Sequence, residues 1–183
     1  MGSPPVALIL AAVLAGALTS GHAPTRPTAG HAAGSGATRP VASRVVAVTL
    51  FHPGGSGDDH PGDAGLAADG NPATAWRTQH YATATFGSLR PGVGLVFDLG
   101  TPTQLRGIEL ALTDPGTALE VHPGNDPAGL LSAPIIGRTA SSGARFSQQL
   151  NGTTARYWLV WITRLPEGNG HQAGIAEATF LRA

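Results

Sequence analysis

Short runs of hydrophobic residues dominate the chain from residue 45 onward, and polar residues alternate with them or bound them. Alternation with a period of two, flanked by Gly, Pro, Asn and Asp, is typical of β-strands. The pattern predicts strands at residues 45–52, 93–99, 104–112, 119–122, 144–150, 156–163 and 175–181. Helical periodicity is almost absent, apart from one turn near residues 64–68. The expected fold class is therefore all-β, an antiparallel β-sandwich or jelly roll.

The N-terminal segment carries an uncharged apolar run, VALILAAVLAGAL, at residues 6–18. This run is shorter than the roughly 20 apolar residues that span a bilayer, and it has the length of a signal-peptide core. Gly21 and Ala23 supply the small residues that a signal peptidase recognises, but residues 1–5 lack the usual Lys or Arg. Residues 1–23 are therefore either a signal peptide or a truncated membrane anchor. Both interpretations place the remainder outside the cytoplasm, secreted or tethered to the membrane only through this segment.

Residues 24–43 consist mostly of Pro, Thr, Gly, Ala and Ser and show no hydrophobic period. Such a segment cannot offset its ordering entropy by burial, so we expect a disordered tether. The folded domain is then expected to span residues 44–183, which is long enough to form a core without disulfides.

Composition excludes several classes of function. The chain has 11 basic and 11 acidic residues, so no strong field attracts nucleic acid. It has no Cys, which excludes disulfides, a thiol nucleophile and thiolate metal sites. Neither a GxSxG motif nor a phosphate-binding Gly loop is present. The acidic turn of Asp58, Asp59 and Asp63 is interpreted as solvated, so we expect no catalytic residues and no enzyme activity.

The loop from Arg77 to Arg90 is the best candidate for a ligand-binding surface. It is long, and long loops on a rigid scaffold are where binding residues concentrate. It presents Arg77, His80, Tyr81 and Arg90. Arginine offers a planar donor fork for carboxylate, phosphate or sugar hydroxyls, and Tyr adds rigid area. A merely solvated loop remains the alternative.

The tryptophans are assigned to the interior. Trp76 offers a face on which a sugar stacks, but a core position is the favoured interpretation. Trp158 and Trp161 lie three residues apart in one predicted strand, so they are expected on opposite faces.

A set of short motifs is distributed along the predicted domain. Its members are Asp69-Gly70, Thr74, Trp76, Asp98-Leu99-Gly100, Arg156-Tyr157 and a late Glu177. In this order and spacing the chain resembles the discoidin-like, or coagulation-factor type C, galactose-binding-like jelly-roll family over about residues 45–183. The resemblance implies a β-sandwich that binds its ligand without catalysis.

A narrower resemblance rests on three longer runs, at residues 75–105, 158–166 and 174–180. These runs are similar to the extracytoplasmic C-terminal module of actinobacterial MviN/MurJ-like pseudokinase proteins, which are tied to the flipping of peptidoglycan precursor. In those proteins the module follows a transmembrane helix and a tether rich in Pro, Ala and Gly. The resemblance implies an extracytoplasmic module of the actinobacterial cell envelope.

The family resemblance also implies a structural calcium site at Asp69, Thr74 and Glu177. In many relatives two carboxylates, a Thr oxygen and backbone carbonyls hold the ion, and Ca²⁺ takes six to eight oxygen ligands. The alternative is that Asp69 forms an Asx turn and that Glu177 pairs with an Arg.

The leading functional hypothesis is a monomeric binding module for a cell-envelope glycan or a peptidoglycan-related ligand. The alternative is a protein–protein interaction or regulatory domain, whose partner is an envelope protein of a membrane-associated cell-wall synthesis system. A glycan hydrolase is the third hypothesis, and it needs a convergent acid pair that the sequence does not offer.

Overall fold

The computed structural model describes residues 40–54, 57–168 and 170–182. All of them belong to one unit, Ala37–Ala183. The predicted leader and nearly all of the predicted tether lie outside the described residues. Within the described ranges, no helix is long and apolar enough to cross a membrane.

The described residues form strands linked by loops and short 3₁₀ helices. The strands are β1 (Val41–Ala42), β2 (Ala47–Phe51), β3 (Trp76–Arg77), β4 (Val93–Leu112), β5 (Ala118–Gly124), β6 (Gly137–Thr139), β7 (Arg145–Arg164) and β8 (Gly174–Arg182). The 3₁₀ helices are η1 (Pro61–Ala68), η2 (Phe86–Ser88) and η3 (Pro127–Ser132). Every strand pair is antiparallel, which confirms the predicted fold class.

Hydrogen bonding links the strands in the order β1-β8-β4-β7-β5-β6, with β2 added to β4 and β3 added to β8. Strand β1 lies at the end of the segment predicted as a tether, and it pairs with Leu181 and Arg182. Strand β3 pairs with the opposite end of β8, at Gly174 and Ile175. The N-terminal strand and the Trp76–Arg77 strand therefore lie at opposite ends of β8.

The two longest strands, β4 and β7, each contain 20 residues and each join two strands predicted from the sequence. Both contain a glycine with positive φ, Gly100 at 81° and Gly152 at 78°. The β4–β7 pairing shifts register between Asp98 and Thr103. A bulge with a left-handed glycine bends a strand without ending it, so the turn residues at these positions mark corners inside strands.

Period-two alternation divides the hydrophobic residues between two clusters. The main core contains Leu95, Phe97 and Trp158, whereas the intervening Val96 and the nearby Trp161 belong to a smaller cluster on the other face. Trp158 and Trp161 are therefore buried on opposite faces, as predicted. Trp76 is fully buried in the main core, which confirms its interior assignment.

The motifs Asp98-Leu99-Gly100 and Arg156-Tyr157 meet across β4 and β7. Both guanidinium donors used by Arg156, Nε and an Nη, bind the Asp98 carboxylate at 2.8 and 2.7 Å. The Gly100 N–H donates to Asp98 as well. The Arg156 hydrogen bond, supported by Gly100, holds the pKa of Asp98 below its usual range against the opposing effect of burial. This bidentate pair fixes the β4 corner to β7.

Candidate functional site

Strand β3 is only two residues long, and it connects the core to the surface. Its Trp76 side chain points inward, where Nε1 donates to the Asp59 carbonyl at 2.7 Å. The Arg77 side chain points outward, as alternation in a strand requires. The Arg77 carbonyl accepts a hydrogen bond from His60 Nδ1 at 2.9 Å. Arg77 is therefore an exposed cation on a backbone that is fixed from the interior.

The Arg77 guanidinium is oriented by Asp114. Arg77 Nη1 lies 3.0 Å from Asp114 Oδ2, and the Arg77 side chain stays 44% exposed. The Thr113 hydroxyl donates to the same carboxylate oxygen at 2.5 Å, and the Thr117 hydroxyl donates to the Asp114 carbonyl. Because arginine has five N–H donors, the bond to Asp114 fixes its direction and leaves donors for a ligand.

Beside Arg77 lies a groove of about 350 Å³, which we call the alanine groove. Its lining includes five alanines from four segments of the chain: Ala73, Ala75, Ala111, Ala144 and Ala176. Small side chains leave room above the backbone, and the volume is at the lower end of the range for small-ligand sites, about 300–1,000 Å³. The charged residues that line the alanine groove are Arg77 and Arg145.

Arg145 enters the groove from the first residue of β7. Its cross-strand partner is Ala111 of β4, and Ala111 in turn pairs with Glu177 of β8. Directly opposed residues of antiparallel strands share a face, so Arg145, Ala111 and Glu177 form one row. The Cα atoms of Arg145 and Glu177 are about 10 Å apart, two strand spacings, and the small Ala111 leaves the space between them open.

Two of the predicted ligand-binding residues, Tyr81 and Arg90, are not on the surface. Both are buried, with exposures of 5% and 6%, and both bind Asp59. The Tyr81 hydroxyl lies 3.0 Å from each Asp59 carboxylate oxygen, and Arg90 Nη1 lies 2.6 Å from one of them. Their contacts with Asp59 hold the loop against the core and leave little of either side chain accessible. Ligand contact by Tyr81 and Arg90 stays a prediction.

Asp59 is correspondingly not the solvated acid that its sequence context indicated. It is completely buried, and besides Tyr81 and Arg90 its carboxylate accepts the Gln79 N–H at 3.1 Å. We call Asp59, Gln79, Tyr81 and Arg90 the Asp59 clamp. Burial, followed by the Asp59 charge, raises the pKa of Tyr81 to about 12. The clamp keeps both ends of the long 78–92 loop against the core.

His80, the remaining predicted ligand residue, is exposed but lies apart from the lining of the alanine groove. Its ring packs against Gly170, where a Cβ atom would approach Nδ1 to 2.6 Å. The neighbouring backbone supports this contact, because the Tyr81 N–H donates to the Gly170 carbonyl. Of the four predicted ligand residues, only Arg77 lines the groove.

The three predicted calcium ligands, by contrast, lie together. Asp69 accepts the Thr74 hydroxyl at 2.8 Å on one oxygen and the Asn71 N–H at 2.8 Å on the other. Glu177 reaches the same turn from β8 and accepts the Gly70 N–H at 2.9 Å. Burial, with a further contribution from the Asp69 charge, raises the pKa of Glu177, although the Gly70 hydrogen bond acts in the opposite direction. Two carboxylates and a hydroxyl thus converge on one turn.

No aromatic side chain is exposed at this end of the fold. The chain has ten aromatic residues, all of them described, and each is buried or half-buried. Among the described residues a sugar ring therefore finds no fully exposed aromatic side chain on which to stack, and we expect polar side chains to supply most of the recognition.

The sequence predictions missed Asp114 and Arg145. Asp114 lies in the turn TDPGT, whose Asp-Pro-Gly composition marks a tight turn without showing which side chain it orients. Arg145 precedes an alternating strand, but its proximity to Arg77 depends on the β4–β7 register. Neither proximity is visible in local sequence.

No family model matches the sequence. Among solved structures, the fold is similar to the CBM32 module of AlyQ in complex with 4,5-unsaturated mannuronic acid. The two chains are 22% identical and have a TM-score of 0.57, and the match covers 78% of this chain and 99% of the module. In the larger truncated AlyQ with CBM32 and alginate lyase domains, this chain spans 34% of the length.

Two further structures are similar. CpGH89CBM32-5 from Clostridium perfringens, in complex with GalNAc-β-1,3-galactose, has 19% identity, a TM-score of 0.52, and coverage of 74% of this chain and 95% of that chain. A pectin-binding carbohydrate-binding module has 14% identity, a TM-score of 0.57, and coverage of 77% and 93%. At these identities the likeness establishes the β-sandwich fold of such modules.

Proposed function

We propose that this protein is a non-catalytic, extracytoplasmic glycan-binding module, and that the alanine groove is its ligand site. The observation that carries the proposal is an open groove lined by small side chains and by two arginines, Arg77 and Arg145. Arginine donates several hydrogen bonds in a fixed plane, which suits sugar hydroxyls and carboxylates. Because arginine does not lose its proton at accessible pH, it binds without serving as an acid–base catalyst.

The fold supports this class of function. The similar structures include modules bound to 4,5-unsaturated mannuronic acid and to GalNAc-β-1,3-galactose, as well as a pectin-binding module. Fold alone does not determine function, so the argument rests on the groove. For the ligand we propose a glycan of the cell envelope, with peptidoglycan as the first candidate.

Retention on insoluble glycans tests the proposal. The full chain is mixed with purified peptidoglycan and with a panel of acidic and neutral polysaccharides, and bound protein is measured after sedimentation. We expect retention on at least one glycan and a clear loss of retention in Arg77→Ala. The matched control is Arg106→Ala, an exposed arginine of β4 that does not line the groove. Retention on no glycan refutes the proposed function, and equal retention of both variants refutes the site.

We also propose a structural calcium ion held by Asp69, Thr74 and Glu177. The donor chemistry fits, because Ca²⁺ prefers carboxylate, hydroxyl and carbonyl oxygens. The Asp69 and Glu177 carboxylates lie at the same turn, Asp69 bound by the Thr74 hydroxyl and Glu177 by the Gly70 N–H, so a cation there would offset two negative charges. These residues belong to the turn before β3, so an ion here would stabilise the wall of the groove.

Calorimetric unfolding tests the calcium proposal. Added Ca²⁺ should raise the melting temperature of the wild type and have little effect on Glu177→Gln. Glu109→Gln is the control, since Glu109 is an exposed acid on the same strand face as Ala111. Identical melting temperatures of the wild type in Ca²⁺ and in chelator would contradict the calcium proposal.

For the biological setting we propose that residues 1–23 export or anchor the module and that residues 24–43 tether it. The apolar run at residues 6–18 supports this setting. The resemblance of residues 75–105, 158–166 and 174–180 to the MviN/MurJ-like C-terminal module is the reason for proposing it. Fusion of residues 1–43 to alkaline phosphatase, which is active only outside the cytoplasm, tests export. Inactive fusions would contradict an extracytoplasmic location. Light scattering of the full chain tests the proposed monomeric state.

A further inference from the structure

The charge pattern of the alanine groove narrows the class of glycan. Both charged residues that line it are arginines, and no acidic residue lines it directly. Asp114 does not line the groove, but its carboxylate binds two residues that do, Arg77 at 3.0 Å and Thr113 at 2.5 Å. A ligand in the groove therefore meets guanidinium groups and not carboxylates.

Arg145 is the more informative of the two arginines. It is exposed, and the structure records no ion pair for it within the described ranges, as for the described arginines Arg44, Arg106 and Arg182; unlike those three, it lines the groove. Its planar donor fork is therefore available to a ligand in the groove, whereas that of Arg77 is partly used by Asp114. Arg145 instead extends from the start of β7 beside Ala111 and Ala144, whose short side chains leave its surroundings open.

The nearest acidic residues lie to one side of this position. Glu109 and Glu177 line an adjoining cavity of about 180 Å³, which shares Arg145, Ala111 and Pro72 with the alanine groove. Glu177 is already engaged by the Gly70 N–H. Arg145 thus lines both the acidic cavity and the alanine groove, whose other charged lining residue, Arg77, is already paired with Asp114. This arrangement favours a ligand that carries its negative charge in the groove.

We infer that the alanine groove binds an acidic sugar, with Arg145 as the residue that recognises its carboxylate and Arg77 as the donor to neighbouring hydroxyls. The inference rests on the proposed glycan-binding function and adds the class of ligand. Uronic acids and lactyl-bearing amino sugars both supply such a carboxylate. Planar bidentate pairing of guanidinium with carboxylate selects this group over a neutral hydroxymethyl group at the same position.

The experiment compares matched acidic and neutral ligands. Calorimetric titration of the full chain uses oligogalacturonate, its fully methyl-esterified form and a neutral galactose oligomer. We expect oligogalacturonate to bind at least about tenfold more tightly than its ester, the amount typical of one charge-assisted hydrogen bond. Raising the salt concentration should weaken binding of the acid and leave binding of the neutral oligomer unchanged.

Variants distinguish the residues. Arg145→Gln should lower the affinity for the acid by about tenfold and leave that for the neutral oligomer intact, whereas Arg106→Gln should change neither. Arg145→Lys, which keeps the charge without the planar fork, should recover part of the loss. Because Arg145 is exposed, its variants should retain the wild-type melting temperature.

The possible outcomes distinguish failure of the acidic-sugar inference from failure of the proposed glycan binding. Equal affinity for the acid and its ester overturns the acidic-sugar inference and leaves glycan binding standing. Acid preference that survives in Arg145→Gln overturns the role of Arg145. Failure of every acidic and neutral glycan to bind overturns both the inference and the proposed function.

Discussion

Replacing Asp59 with Asn should destabilise the fold far more than its sequence context indicates. The substitution keeps the shape of the side chain and removes its charge. The Arg90 guanidinium 2.6 Å away then loses its ion pair with Asp59 while its side chain stays buried. The Tyr81 hydroxyl and the Gln79 N–H also lose a charged acceptor.

The expected loss of unfolding free energy is about 3–5 kcal/mol, the range for removing one partner of a buried ion pair. This is a large fraction of the roughly 5–15 kcal/mol by which small domains are stable. The control is Asp63→Asn, since Asp63 is an exposed acid in η1 four positions along the chain and should change stability by less than about 0.5 kcal/mol. A double variant, Asp59→Leu with Arg90→Met, removes both charges and should recover the part of the loss caused by the broken ion pair. It should not recover the part caused by the Tyr81 hydroxyl and the Gln79 N–H, which lose their acceptor.

Equilibrium urea unfolding, followed by tryptophan fluorescence, measures these differences. Trp76 is a suitable reporter because its Nε1 donates to the Asp59 carbonyl. If Asp59→Asn and Asp63→Asn unfold at the same urea concentration, the Asp59 clamp contributes nothing and the reasoning is refuted. A double variant as unstable as Asp59→Asn alone would show that the lost Asp59 hydrogen bonds and packing, and not the broken ion pair with Arg90, cause the effect.

Three further predictions concern pH and packing. Because the pKa of Tyr81 is raised from 10.0 to about 12 by burial and the Asp59 charge, only the unfolded state ionises between these values. The free energy of unfolding should therefore fall as the pH rises from 10.0 to about 12, and it should fall less in Tyr81→Phe. Unfolding followed by circular dichroism at several pH values measures the difference. Asp98 has a lowered pKa, chiefly through the Arg156 hydrogen bond, so its stabilisation is present above the ordinary carboxyl pKa and lost as pH falls through the lowered value. Melting temperatures of the wild type and Asp98→Asn should differ at pH 7 and converge in acid; a constant difference would contradict this. Gly94→Ala should lower the free energy of unfolding by about 3 kcal/mol or prevent folding, because the added Cβ would overlap the Val160 carbonyl oxygen. The control is Gly65→Ala, whose added Cβ meets nothing within 4 Å and which should be neutral or slightly stabilising. The same urea assay measures both variants.

Local pattern was sufficient to predict the strands and the buried tryptophans. Alternation such as that of Leu95, Val96 and Phe97 reports directly which face of a strand is buried. Strands of two or three residues, such as β1 and β3, contain less than one full period and leave no such signal. The corners at Gly100 and Gly152 were mistaken for strand ends, since a left-handed glycine marks a bulge and a turn equally well.

The candidate site was less predictable, because its contacts cross long stretches of chain. Asp59 and Arg90 are 31 positions apart, and nothing near either residue shows that they meet. An acid among Gly, Asp and His is indistinguishable in sequence from a solvated one. Asp69, Thr74 and Glu177 were predicted to lie together only because the family resemblance implies all three as ligands of one site. Composition alone would not have joined Glu177 to a turn more than 100 positions earlier.

Strand β3 links the Asp59 clamp to the alanine groove. A change in the buried clamp should therefore alter the affinity of the groove for its ligand. Trp76 is held by the Asp59 carbonyl, and the next residue, Arg77, lines the groove. A groove whose wall is already ordered does not lose additional conformational entropy when ligand binds, whereas a loosened wall does. Asp59→Asn at a temperature where it remains folded should therefore bind glycan more weakly than the wild type, although Asp59 contacts no ligand. Calorimetric titration of both proteins with the same glycan measures this difference, and equal affinities would separate the clamp from the site.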